Sequence, residues 1–309
     1  MGLIALLIAL AVLYNEKIPA GLQRDAWYSD WCSSLTYLPR GLPRLLVGLG
    51  LPVIGLDVLL RFVDGWVFGL VSLAVAVAVL LYSFGRGDVV DDIAALADDA
   101  ENEDMQGVFL RAEALSGQTD APERDVADDA ALSGQVINAL SYRFMEHVFA
   151  VVFWFFVLGP AAALLYRLLW LSAQAKEADL VESTDQSTAE DTDMVASDDV
   201  GENPKDNASL ARNWLYWAEW LPVRALGLIL AVVGNFGSCV ETWLESLVST
   251  ESSPSLLGAF VSTSFTPDSA DADASVGSRL ATQVRSLESL FFRCALAWLV
   301  FVAVVTVSF

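Results

Sequence analysis

Arg143, Glu146 and His147 fall at i, i+3 and i+4, a spacing that gathers their side chains on one face of a helix. Such a cluster can close on itself as an ion pair. It can also receive an anionic group, with the guanidinium fork of Arg143 binding a phosphate or carboxylate and Glu146 orienting it. Just upstream, Gln135, Asn138, Tyr142 and Glu146 recur at three- and four-residue steps and draw a polar stripe along one helix face. Stripes of this kind serve as solvated surfaces or as helix-packing surfaces. Two more cation-bearing patterns follow. Tyr166 and Arg167 close an apolar run, and Trp220, Pro222 and Arg224 sit in an aromatic one, where an interfacial belt, a kink and a snorkelling cation would also account for them.

Other chemistry is excluded by residue type. His147 is the one histidine, so no His-rich metal cluster can form, and Cys32, Cys239 and Cys294 lack the paired spacing of a disulfide framework or a zinc site. The Walker-type GxxxxGK[ST], GxSxG, HExxH and CxxC patterns do not occur. No catalytic residue, metal or cofactor is assigned on these grounds.

The elements that must position these residues are apolar. The chain has 309 residues, of which 55% are apolar and 18% charged, yet its formal net charge is −22. That combination predicts membrane segments joined by acidic polar loops. Residues 66–84 carry no charge and are long enough to cross roughly 30 Å of hydrocarbon. Residues 148–171 carry only Arg167 near their end and predict a second span, and 291–309 predict a third, short one. The stretch 45–60 contains Pro52 and Asp57 and is read as a span paired with 66–84 in a helical hairpin, because so short a link forces antiparallel neighbours. The first fourteen residues lack a basic leader and a cleavage site, so they are read as retained, either crossing or lying in the interface. Residues 212–235 open with Trp214, Tyr216, Trp217 and Trp220, a belt typical of the headgroup level, and predict an interfacial or re-entrant helix.

Lys17, Arg24, Arg40 and Arg44 place 15–44 in the cytoplasm, and Arg86 and Arg143 place 85–147 there too. Within that region Val89, Ile93, Leu96 and Ala97 are spaced for the apolar face of an amphipathic helix. A second helix is expected over 104–115, and a third from Asp125 that runs into the membrane and kinks at Gly159 and Pro160. Residues 172–211 read as a disordered acidic linker and 236–290 as a polar loop. The expected architecture is therefore all-α: a polytopic helical membrane protein with a helical cytoplasmic region and disordered acidic loops. The acidic excess suits a saline-adapted host, or a surface for a basic partner, and it disfavours nucleic acid by repelling phosphate.

Three segments in order resemble the AmpE family: the tract from Asn138 through Arg143 into FWFFVLGPAAALLYRLLW, the WLPVRALGLILAVVG segment, and the C-terminal apolar anchor. That family is similar to the adenosylcobinamide-phosphate synthases, CobD or CbiB, which share a GxPGALLY-like turn and a D-W-x-P-x-R-like segment. Here the matching residues are Gly159, Pro160, Leu165, Tyr166 and Arg167, then Trp220, Pro222 and Arg224. The synthases' His-Pro element and their Asn/Asp motif after the tyrosine turn are missing. The resemblance implies a multi-pass inner-membrane modulator, non-enzymatic, associated with inducible β-lactamase expression and cell-wall recycling. The alternative it leaves is a corrinoid amide-forming enzyme. For the modulator, Asn138, Arg143, Glu146, Tyr166, Arg167, Trp220, Pro222 and Arg224 are the expected ligand-binding residues. The expected partners are the lipid bilayer, an anionic muropeptide-like molecule and a cytoplasmic protein.

Overall fold

The computed structural model describes residues 2–14, 24–39, 41–63, 69–85, 89–116, 129–186, 205–247, 249, 251–264 and 275–308, and every described element is helical. The chain divides into two compact units, Met1–Ser83 with Val157–Ala218 and Phe84–Phe156 with Glu219–Phe309.

Helix α1 spans Gly2–Tyr14, α2 spans Ala26–Ser34 and runs into a 3-10 turn at Leu35–Tyr37, α3 spans Leu42–Val63 and α4 spans Leu70–Ser83. In α3, Leu46, Leu51, Ile54, Val58 and Phe62 are exposed, and only 17% of its most apolar window is buried.

Helix α5 spans Val89–Glu101 and α6 spans Met105–Ser116. Helix α5 buries Val89, Ile93, Leu96 and Ala97, the face that the spacing predicts, and carries Asp91 and Asp92 in its first turn, where the helix dipole favours carboxylates. Asp104 begins α6 by accepting the Gly107 N–H at 2.9 Å.

Helix α7 spans Asp129–Phe144 and passes through a π-helical turn, Met145–Phe149, into α8, Ala150–Leu158. The rod ends at Gly159, whose φ of +88° suits a residue without Cβ, and Pro160 then opens α9, Pro160–Gln186, at the first-turn position where its missing N–H costs nothing. The predicted single span over 148–171 is thus two helices broken at the predicted kink. Helix α9 also carries helix into the segment expected to be a linker. Residues 187–204, the centre of that expected disordered linker, lie outside the described residues, as do 64–68 between the two hairpin segments.

Helix α10 spans Lys205–Val233, α11 Phe236–Ser246, α12 Ser253–Ser264 and α13 Val276–Ser308. The expectation of a polar loop over 236–290 is corrected: α11, α12 and the first part of α13 occupy it. Its Ser-rich composition disfavours helix by propensity, and packing outweighs that. Gly227 gives room for the Phe260 ring of α12, and Cys239 of α11 is fully buried beside both.

Among the described residues, four stretches are long and apolar enough to cross a membrane: Leu42–Val63, Ala130–Leu158, Ala208–Val233 and Val276–Ser308. The described part of the predicted span 66–84 is α4, a shorter apolar helix of 14 residues. In the second unit α13 packs against α5 and α7, α6 against α7, and α12 against α7 and α11.

Candidate functional site

The polar stripe of α7 meets partners from three directions inside the second unit. Arg143 Nε donates to Asp92 Oδ2 of α5 at 3.0 Å, and its Nη1 contacts His147 Nε2. His147 Nδ1 lies 2.7 Å from the Phe84 carbonyl oxygen, which can only accept, so that nitrogen carries the hydrogen. In the neutral ring Nε2 is then the acceptor turned to the guanidinium. Glu146 Oε1 is 3.3 Å from the same Nε2. A neighbouring hydrogen bond, from the Tyr142 hydroxyl to Glu219 Oε1 at 2.9 Å, ties α7 to α10.

The π turn is what lets so many of these groups face inward. A π turn inserts one extra residue and widens the helix locally. Met145, Glu146, His147 and Phe149 are all buried there. Ser141, at the preceding turn, returns its hydroxyl to the Ile137 carbonyl at 2.6 Å, a local bond that competes with the regular ladder. Burial makes each of these groups costly unless paired, and the pairs are made within the chain. One cation, Arg143, therefore stands among two carboxylates, Asp92 and Glu146, with His147 between them.

Arg224 is buried in the same unit. Its guanidinium lies 4.3 Å over the Trp220 ring and donates to the Trp220, Ser246 and Ser249 carbonyls at 3.2, 2.6 and 3.3 Å. Ser246 closes α11 and Ser249 lies just past it, where carbonyls lack helical donors and the dipole favours a cation. Trp243 of α11 returns a bond from Nε1 to the Arg224 carbonyl at 2.8 Å. Pro222 lies inside α10 and withholds one N–H from its ladder. The Asn138 side chain fills the space that a Cβ at Gly258 would need, so it packs α7 on α12.

Tyr166 and Arg167 belong to the first unit. Both are buried. Arg167 Nη2 donates to Asp25 Oδ2 at 3.1 Å, and its guanidinium lies 4.7 Å from the Trp170 ring. Arg167 Nε and Asp25 Oδ1 are buried with no partner among the described residues. Close by, Tyr28 and Ser172 share a hydrogen bond of 2.7 Å, and Trp27 Nε1 donates to the Tyr82 hydroxyl at 3.0 Å. Burial pushes the Tyr28 phenol above its ordinary range and raises the Cys32 thiol as well, so neither ionises easily.

Of the residues singled out by sequence, Arg143 and Glu146 are joined through His147, while Arg224, Trp220 and Asn138 take helix-packing positions and Tyr166 and Arg167 belong to a separate cluster. Sequence reasoning missed Asp92, Glu219 and Asp25. An acid in an otherwise apolar, aromatic run is a signal in its own right and would have found Glu219, which directly precedes Trp220. Asp92 and Asp25 sit on ordinary polar stretches and carry no such signal. Among the described residues, no group of three or more His, Cys, Asp or Glu side chains could hold a metal ion. Compared with known protein families, curated proteins and solved structures, the chain finds no match.

Proposed function

We propose that the protein is a non-enzymatic modulator of the AmpE kind, a multi-pass protein of the inner membrane linked to β-lactamase induction and cell-wall recycling. The observation that carries the reading is the network on the π turn, in which Arg143 is engaged by Asp92 and His147 of its own chain. Ionic groups already paired to one another suit an element that changes its packing more than one that holds reacting atoms. Such an element responds to a signal in proportion to the difference in affinity between its two arrangements. The matching signal is an anionic, muropeptide-like fragment, whose carboxylate or phosphate competes with Asp92 for the fork of Arg143. The long apolar helices support the membrane part of the reading, and the sequence resemblance supplies the pathway.

The test is complementation in a bacterium with an inducible β-lactamase and its own AmpE-family protein deleted. The wild-type chain should restore induction, whereas Arg143→Leu and His147→Leu, each shown to be present in the membrane fraction, should not. Full induction by both variants would remove the network from the mechanism. Growth of a strain lacking the corrinoid synthase, fed the corrinoid precursor and carrying this chain, would replace the modulator with the amide-forming enzyme and make Arg143 and Glu146 candidates for positioning its substrates.

A further inference from the structure

Three of the long apolar stretches, Ala130–Leu158, Ala208–Val233 and Val276–Ser308, lie wholly or mostly in the second unit, and their register there separates them. Ser133 of α7 donates to Gln283 of α13 at 2.8 Å, Phe144 stacks on Phe291 at 4.6 Å, and Phe149 and Phe153 meet Trp298 at 5.3 and 5.7 Å. The two helices therefore run parallel and change from polar to apolar together, past about Phe144 and Phe291. The C-terminal half of α10 packs on the other side of that change. Its Glu219 meets Tyr142, its Gly227 faces Phe260 of α12, and Gly258 of α12 abuts Asn138 of α7. Through Glu219 and through α12 it is held to the polar half of α7, although its composition suits a membrane crossing.

Helix α11 runs antiparallel to α10, since Cys239 Sγ is 3.8 Å from the Gly227 carbonyl and Ser246 meets Arg224. Helix α12 covers both from one side through Phe260 and the bond from Asn235 N–H to the Ser264 carbonyl at 3.3 Å. Left exposed are Leu221, Leu228 and Val232 on α10 and Phe236, Leu244 and Leu247 on α11. On α11 these three and Val240 fall within about 80° of arc, while the exposed Glu241 and Glu245 lie well round from them. That is the pattern of a helix lying flat on a bilayer, with its apolar stripe at the headgroup and acyl boundary.

We infer that α10 from Leu221 onward and α11 lie side by side in the plane of the membrane interface, burying a shared apolar face in lipid, and that this stretch does not cross. The inference rests on the membrane reading above. If the apolar ends of α8 and α13 occupy the hydrocarbon, the register leaves this pair at its surface. Glu241 and Glu245 make a zwitterionic headgroup the fitting partner, since an anionic one would be repelled.

Spin labels attached singly through Leu221→Cys, Leu228→Cys, Val232→Cys, Phe236→Cys, Leu244→Cys, Glu241→Cys and Phe301→Cys test this in phosphatidylcholine nanodiscs. Cys32 is replaced by Ala, and the buried Cys239 and Cys294 are kept. Relative access to oxygen and to a nickel chelate should give one shallow depth for the five apolar positions, aqueous access at 241 and a deep position at 301. A depth that changes by about 16 Å from 221 to 232, the rise of a crossing helix over eleven residues, would overturn the inference. So would immobilised, mutually coupled labels, which would mean that a second copy covers the face. A label at 301 with no access to lipid would instead overturn the membrane reading itself.

Discussion

Arg167 of the first unit and Arg224 of the second are both buried, and each lays its guanidinium near a tryptophan of its own helix, at 4.7 and 4.3 Å. They differ in the reach and kind of the bonds they show. Arg167 donates to a carboxylate, Asp25, brought from 142 positions away, whereas Arg224 donates to carbonyls from 22 and 25 positions away, at and just past the end of the next helix. The first bond is a tertiary tether to a counter-charge. The second set caps a helix end, where the dipole favours a cation. Resemblance treats the two arginines as equivalent, and their surroundings assign them different work.

The comparison breaks first at Asp25. Asp25→Leu leaves the Arg167 guanidinium buried without its partner, and the expected loss is about 3–5 kcal/mol, read as a fall in unfolding midpoint by tryptophan fluorescence in detergent. A loss below about 1 kcal/mol would mean that Trp170 and solvent suffice to hold the buried guanidinium. Next comes Arg224→Met, which keeps the apolar stem and removes the donors from three carbonyls. It should cost about 2–4 kcal/mol, with Arg224→Lys in between because the charge remains and the fork does not. Full recovery by Lys would make charge, and not geometry, the thing that caps α11.

Tyr142→Phe is expected to cost about 1–2 kcal/mol by leaving the buried Glu219 short of one donor, and an unchanged midpoint would show that Glu219 is satisfied elsewhere. The smallest effect belongs to the exposed pair of Glu101 and Arg285, whose hydrogen bond holds the Glu101 carboxyl below its ordinary 4.5. A depressed carboxyl adds stability above its unfolded value and loses it as pH falls through the folded one. The difference between wild type and Glu101→Gln should therefore be small at neutral pH, vanish as pH falls through the lowered folded value and shrink in high salt; a difference that grows on acidification would refute it.

How much of this could be read from sequence follows the range of each interaction. The buried face of α5 and the break at Gly159 and Pro160 are set by periodicity and by two special residues, and both are legible. The helices α11 and α12 are not, because their Ser-rich composition counts against helix until Gly227 and Gly258 are seen to admit close packing. In the candidate site the arginines are legible by type, while their partners Asp92 and Asp25 come from distant, unremarkable polar stretches. The π turn has no glycine or proline to announce it. The acidic excess was legible as composition only, and it enters the described packing mostly at the pairs of Asp92, Asp25, Glu101 and Glu219.

Gly227 and Gly234 on α10 and Gly258 on α12 act together as a keyway. A Cβ at Gly227 would sit 2.6 Å from the Phe260 ring, and one at Gly234 would sit 2.6 Å from the Ser264 carbonyl. A turn of α12 by a single residue rotates it by about 100° and would present Ala259 to Asn138 in place of Gly258. The seat of α12 is therefore quantised: it has one angular setting in which its neighbours close around it.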